Sequence, residues 1–174
     1  VRMTWVTTVF GDSPRLLRTN SRWPAVSPDG THIAFVTNLR HEIWIMGANG
    51  GNPQRLLEGK DEEYAGLAWS PNGQRLAYIV SKGSPVVWSL ETLLLANGGR
   101  SVVTSDSHEK SSILWAPDGR VIFTRSEGLV ALNSAANLWV AMVDPRTGKA
   151  QDDPKKLTDW GELVVTSPSI SRDG

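Results

Sequence analysis

The sequence predicts an all-β protein that repeats one unit of four short strands. One turn recurs four times, as Ser-Pro-Asp-Gly at 27–30, Ser-Pro-Asn-Gly at 70–73, Ala-Pro-Asp-Gly at 116–119 and Ser-Arg-Asp-Gly at 171–174. A second turn, Ala-Asn-Gly-Gly, occurs letter for letter at 48–51 and 96–99. The segments between turns are short and rich in β-branched and aromatic residues, as in His-Ile-Ala-Phe-Val at 32–36. A turn that repeats together with its flanks indicates an array of one supersecondary unit.

The copy at 21–60 shows the unit most clearly. Pro28 presets φ at the second position of a type I turn, Asp29 tolerates the third, and Gly30 supplies the positive φ that closes the turn. Strands are predicted before and after this turn, at 24–26, 32–36, 42–46 and 54–57. Four short strands joined by tight turns in about forty residues are typical of one blade of a β-propeller.

The third strand of the second copy has two possible registers. Trp88 matches Trp44 by residue type, whereas the Ala-Asn-Gly-Gly turn places the third strand at 91–95. We prefer the four-residue match, which puts Trp88 in a lengthened hairpin loop at 81–89. The alternative is a helical turn at 90–96, which the residue propensities allow.

The repeat divides the chain into successive blades. We expect the outer strands of a preceding blade, three complete blades and the first strand of a following blade, at 1–20, 21–60, 61–107, 108–160 and 161–174. The extra length of the third blade falls in a loop at 126–136, where insertions are tolerated. Propellers typically close with about four to eight blades, so this count predicts an open arc. The last turn has no returning strand, and we therefore expect the chain to be a fragment of a longer array.

These motifs resemble the TolB-type β-propeller repeat, in which an apolar strand, Ser-Pro-Asp-Gly and a strand of the kind Ile-Ala-Phe follow one another. A closer resemblance is to the C-terminal propeller of bacterial serine/threonine kinases and winged-helix regulators of the acidobacterial type. It is carried by 27–51, by 67–78 and by Asp-Pro-Arg-Thr-Gly at 144–148. The sequence departs from the repeat at Arg172, where proline is usual. The resemblance implies an appended sensor or interaction domain and favours the extracytoplasmic, periplasmic side.

Composition and motifs argue against several classes of function. The 18 basic and 18 acidic residues balance, and no apolar run approaches the roughly 20 residues that span a bilayer, so neither nucleic acid nor membrane insertion is expected. There is no cysteine, and the three histidines lack metal-ligand spacing. Asp29, Asp118 and Asp173 lie one per turn, which favours turn formation over metal binding. No Gly-x-Ser-x-Gly elbow or kinase motif occurs, so we expect no catalytic residue, cofactor or metal.

Eight tryptophans are many for a chain of this length. Four of them recur at matching positions of the repeat, and such large aromatic side chains are expected to pack between neighbouring blades. They are Trp44, Trp69, Trp115 and Trp139. Trp23, Trp88 and Trp160 follow the repeat less regularly, and we predict that they are candidate interaction residues.

The sequence thus predicts a non-catalytic protein-interaction or sensing module of a larger bacterial signalling protein. Its partner would be a protein or peptide, contacted through loops such as 81–89 and 126–136 or around a central channel. Two alternatives stay open. One is the propeller portion of a prolyl-oligopeptidase-class peptidase, and the other is a periplasmic TolB-like protein that binds envelope partners.

Overall fold

The computed structural model describes residues 1–128, 135–161, 163, 165 and 168–171, and these contain fourteen β-strands and no helix. The strands are β1 (Met3–Val6), β2 (Arg15–Thr19), β3 (Ser21–Val26), β4 (His32–Thr37), β5 (Glu42–Gly47), β6 (Gln54–Glu58), β7 (Glu62–Trp69), β8 (Arg75–Lys82), β9 (Val87–Leu94), β10 (Gly99–Asp106), β11 (Lys110–Trp115), β12 (Arg120–Ser126), β13 (Ala136–Met142) and β14 (Lys155–Lys156).

The strands form antiparallel sheets whose neighbours are consecutive in sequence. β1 pairs with β2, and three four-stranded sheets follow, β3 to β6, β7 to β10 and β11 to β14. The first strands of the three larger sheets, β3, β7 and β11, lie side by side at the centre of the array. Among the described strands none closes the array into a ring. The all-β, open propeller architecture predicted from the repeat is therefore confirmed.

In the first two complete blades, the turn after the first strand is held by its own side chains. The hydroxyl of Ser27 donates to Asp29 Oδ1 at 2.6 Å, and the same carboxylate oxygen accepts the backbone N–H of Thr31 at 3.0 Å. Ser70 and Asn72 repeat the first of these bonds at 2.8 Å in the next blade. Because a hydroxyl and an Asx side chain suffice to close the turn, the pattern of serine and aspartate or asparagine is explained locally.

Apolar side chains fill the space between neighbouring sheets. The second strand of each blade contributes one large aromatic residue to these clusters, Phe35, Tyr78 and Phe123 respectively, and each is at most 1% exposed. Trp44 packs against the cluster that contains Phe35, and Trp139 against the one that contains Phe123. The predicted packing of these two tryptophans between blades is confirmed.

The position of Trp88 differs from the prediction. β9 begins at Val87, so Trp88 lies in a strand opposite Ser81, and the predicted loop at 81–89 is wrong. The reason is strand length, since β8 and β9 have eight residues each whereas β4 and β5 have six. The repeated sequence motifs locate the turns, but they do not determine how many residues each strand of the hairpin contains.

The register of the second blade nevertheless follows the four-residue turn match. Glu91 pairs with Tyr78 as Trp44 pairs with Phe35, so Glu91 and not Trp88 occupies the place of Trp44. β9 runs to Leu94, and the alternative helical turn at 90–96 does not form.

The two ends of the array are described to different extents. β1 and β2 pair as the outer strands predicted at 1–20. Residues 129–134 of the predicted loop lie outside the described residues. So do seven of the fourteen positions at 161–174, including the last three residues of the turn. The domain boundaries proposed from the repeat remain a proposal.

Candidate functional site

The innermost strands and the turns that follow them line a cavity of about 600 Å³ at the turn ends of β3, β7 and β11. In a closed propeller this place is a mouth of the central channel, and we call it the channel mouth. The same repeat positions line it in successive copies. The turns contribute Pro28, Pro71 and Pro117, and the positions directly before the turns contribute Val26, Trp69, Trp115 and Ile170. This channel mouth is therefore an apolar surface built by repetition of one sequence position.

The walls of the channel mouth are held together across blades. The indole N–H of Trp69 donates to the carbonyl of Ala25 at 2.9 Å, so its ring is fixed against the neighbouring blade and is only 8% exposed. Val26, in contrast, is 61% exposed. The turn prolines add apolar surface without a backbone N–H. A rigid, concave and apolar surface of this kind suits contact with apolar side chains of a partner.

The three tryptophans predicted as interaction residues do not meet, and none of them lines the channel mouth. Trp23 lines a smaller cavity of about 220 Å³ that is separate from the channel mouth. The guanidinium groups of Arg22 and Arg40 lie 5.8 and 5.6 Å from its ring centroid. Trp88 packs against the cluster between the second and third blades. Trp160, after β14, is 47% exposed. A role for these residues in binding remains a prediction.

One signal in the sequence could have located the channel mouth. The residue directly before each turn is apolar in all four copies, and in three copies the second turn residue is proline. In the sequence alone, these positions indicate only the end of a strand and the start of a turn. Only the arrangement of blades brings them into one surface.

The acidic residues of the turns act within the turns. Hydrogen bonds from the hydroxyl of Ser27 and from Thr31 lower the pKa of Asp29 to about 2. The backbone N–H of Arg120, and then its side chain, lower the pKa of Asp118 in the same way. In the part of the chain that the structure describes, no three His, Cys, Asp or Glu residues come together in a group that could hold a metal ion. No described helix has the length and apolar character required to cross a membrane.

Four-stranded antiparallel sheets that follow one another around a channel define a β-propeller. The family of the lipoprotein LpqB beta-propeller domain matches residues 3–121, which is more than half of the chain. The chain belongs to this family.

Curated proteins and solved structures resemble parts of the chain. YidR of Escherichia coli is 22% identical over 75% of the chain, and the Tol-Pal system protein TolB of Aromatoleum aromaticum is 39% identical over 43%. Dipeptidyl-peptidase 5 of Porphyromonas gingivalis is 25% identical over 80%. The chain spans only 30%, 17% and 22% of the lengths of these proteins. The structure of a putative TolB from Agrobacterium tumefaciens superposes on 90% of this chain and 56% of its own length, with a TM-score of 0.72 and 18% identity, which shows a shared fold.

Proposed function

We propose that the chain is a non-catalytic binding module whose channel mouth takes an apolar segment of a protein or peptide partner. The observation that carries this proposal is the exposed apolar surface at the mouth, where Val26 stands 61% exposed beside the turn prolines. Water is displaced favourably from such a concave apolar surface by an apolar side chain.

Two similarities support an interaction role. The family is named for a lipoprotein, and one relative is a component of the Tol-Pal system. We extend the proposal to an extracytoplasmic location on this basis. We also propose that the chain is one module of a larger bacterial signalling protein. The resemblance of the repeat to kinase-linked propellers supports this.

A peptide selection tests the role of the channel mouth. Peptides displayed on phage and selected on the immobilised chain should contain aromatic or aliphatic side chains. Val26→Asp places a carboxylate in the mouth and should weaken a selected peptide by about tenfold or more, because the charge must be desolvated on binding. Isothermal titration calorimetry with the synthetic peptide measures the change.

Val102→Asp is the matched control for this experiment. Val102 lies on β10, the outer strand of the second blade, and is 52% exposed. This variant should bind within about twofold of the unsubstituted chain. The proposal is wrong if the selection returns no binding peptide, or if both variants bind equally well.

A second candidate function rests on the similarity to Dipeptidyl-peptidase 5, which covers most of this chain. In that case the chain would be the propeller of a peptidase, and the catalytic residues would lie in another domain. The open reading frame that encodes the chain decides between the two. A Gly-x-Ser-x-Gly elbow after the propeller would favour the peptidase, and a kinase or winged helix before it would favour the signalling protein.

A further inference from the structure

Three asparagines that are followed directly by glycine lie exposed in turns, at positions 49, 72 and 97. In such a pair the backbone nitrogen of glycine can attack the side-chain amide carbon of asparagine, because glycine has no Cβ to hinder the approach. The new C–N bond closes a five-membered imide, and the side-chain NH2 leaves as ammonia after taking up the proton that the attacking nitrogen loses. Water then opens the imide at either carbonyl, which gives aspartate or isoaspartate.

Two of these pairs lie in the same four-residue sequence. Ala-Asn-Gly-Gly occurs at 48–51, the first glycine turn, and again at 96–99, the second glycine turn. Each of them joins the third strand of a blade to the fourth. Because the residues next to the reacting amide are the same in both, a difference in rate between Asn49 and Asn97 reports the surroundings of the two turns.

The internal hydrogen bonds of the two glycine turns match. The N–H of the attacking glycine donates to the last carbonyl of the preceding strand, that of Gly47 at 2.8 Å in the first turn and that of Leu94 at 2.9 Å in the second. The amide Oδ1 accepts the backbone N–H two residues further on, at 2.8 Å for Asn49 and 2.9 Å for Asn97. The glycine nitrogen can attack only after its own hydrogen bond has opened, so the rate in the folded chain depends on how readily each turn opens.

The surroundings of the two glycine turns differ. β2 covers the first turn, since a Cβ at Gly50 would lie 3.3 Å from Leu17 Cδ2 and 3.4 Å from the Leu17 carbonyl oxygen. Arg15 Nη1 also donates to the carbonyl of Asn49 at 3.1 Å. In the second turn nothing lies within 4 Å of a Cβ at Gly98, and all four residues are exposed. The second turn therefore has fewer contacts to break when it opens.

The third pair lies in a turn that is held by more hydrogen bonds. Asn72 Oδ1 accepts the hydroxyl of Ser70 at 2.8 Å and the backbone N–H of Gln74 at 3.1 Å. The hydroxyl oxygen of Ser70 accepts the backbone N–H of Arg75 at 2.9 Å, and the carbonyl of Ser70 accepts the N–H of Gly73 at 2.8 Å. Both the amide and the attacking nitrogen are thus held in place, which opposes the reaction at Asn72.

We propose that Asn97 is the site at which the folded chain deamidates, and that contact with β2 protects the identical sequence at Asn49. The reaction replaces a neutral amide by a carboxylate, and the isoaspartate product also adds one methylene group to the backbone between β9 and β10. Ser101, two residues beyond the turn, donates to the carbonyl of Thr147 at 2.8 Å. The modified turn therefore lies next to a contact between the second and third blades.

Peptide mapping of the whole chain measures the three rates side by side. The folded chain is kept in mildly alkaline buffer, because the attacking nitrogen must lose its proton, and samples are digested with trypsin over time. The three asparagines fall in separate tryptic peptides, 41–55, 61–75 and 83–100. Mass spectrometry detects the replacement of NH2 by OH in each peptide, and a sample digested at the start corrects for reaction during digestion. Asn97 should react about fivefold or more faster than Asn49 and Asn72, since each further hydrogen bond or packing contact that must open slows the reaction by about this factor.

Denaturant and two variants of β2 separate the protection by structure from the intrinsic chemistry. In concentrated urea, Asn49 and Asn97 should react within about twofold of each other, because the turns that distinguish them are lost. In the folded chain, Leu17→Ala uncovers the first turn and should speed the reaction at Asn49 by about threefold or more. Leu16→Ala, at the neighbouring exposed position of β2, should change that rate by less than about twofold.

Thermal unfolding verifies that both leucine variants keep the fold, and the comparison of Asn97 with Asn49 in the unsubstituted chain requires no variant. The proposal is overturned if Asn49 or Asn72 reacts as fast as Asn97 in the folded chain. It is also overturned if the preference for Asn97 persists in urea, or if the two leucine variants react equally fast at Asn49.

Discussion

The variant Gly148→Ala tests how the second and third blades are held together. Gly148 ends the turn at 144–148, which lies against the second blade. Its carbonyl accepts the hydroxyl of Thr92 at 2.8 Å. Arg75, only 4% exposed, donates from Nε to the carbonyl of Pro145 at 2.9 Å and from Nη2 to that of Arg146 at 2.5 Å. A Cβ at position 148 would meet the side chains of both Thr92 and Arg75.

Gly98 provides a control, because its backbone has a similar positive φ but a Cβ at this position would contact no other atom. It closes the equivalent turn of the second blade with φ +73°, against +74° at Gly148, and nothing lies within 4 Å of its would-be Cβ. Alanine at either position costs roughly 1–2 kcal/mol for the left-handed backbone. At Gly148 the new methyl group must also displace hydrogen bonds from a buried guanidinium and a hydroxyl. This adds about 3 kcal/mol, because bonds to charged groups contribute about 1.5–3 kcal/mol and neutral ones about 1 kcal/mol.

Thermal unfolding followed by tryptophan fluorescence measures the difference. For a chain of this size about 1 kcal/mol corresponds to roughly 2–4 °C, so the Tm of Gly148→Ala should lie about 6–12 °C below that of Gly98→Ala. In a double-mutant cycle, Gly148→Ala should cost much less once Arg75 is replaced by Met, since the two changes disrupt the same contact. Equal Tm losses in the two alanine variants, or strictly additive costs with Arg75→Met, would refute the reasoning.

Two further predictions concern a buried charge and the repeated turn. Lys110, whose side chain is fully buried, donates from Nζ to Asp106 Oδ1 at 2.8 Å and to two backbone carbonyls at 3.2 Å. Lys110→Met should therefore lower the free energy of unfolding by about 2–4 kcal/mol, whereas the exposed Lys60→Met should change it by less than about 0.5 kcal/mol in urea titrations. A similar loss in both variants would contradict the structural role of the buried ammonium. For Asp29, the folded-state pKa of about 2 lies below the unfolded value of about 3.9, so its contribution to stability is present above about pH 4 and is lost as the pH falls toward 2. Asp29→Asn should make the acid side of the stability profile shallower, and Asp152→Asn, at an exposed position, should not.

The features that the sequence predicted correctly are those determined within a few residues. The turn at 27–30 is closed by its own serine and aspartate, and β4 and β5 follow from short apolar segments between such turns. The extent of β9 was mispredicted because strand length depends on the partner strand. The candidate sites depend on residues far apart in the chain, as in the bond from Trp69 to Ala25. A local sequence pattern does not specify which residues of neighbouring blades come into contact.

The channel mouth exists because successive copies keep an apolar residue before the turn and a proline within it, so several blades contribute similar surface to one cavity. Its binding energy should be spread over several residues, and a small truncation at one of them should weaken a partner only in part.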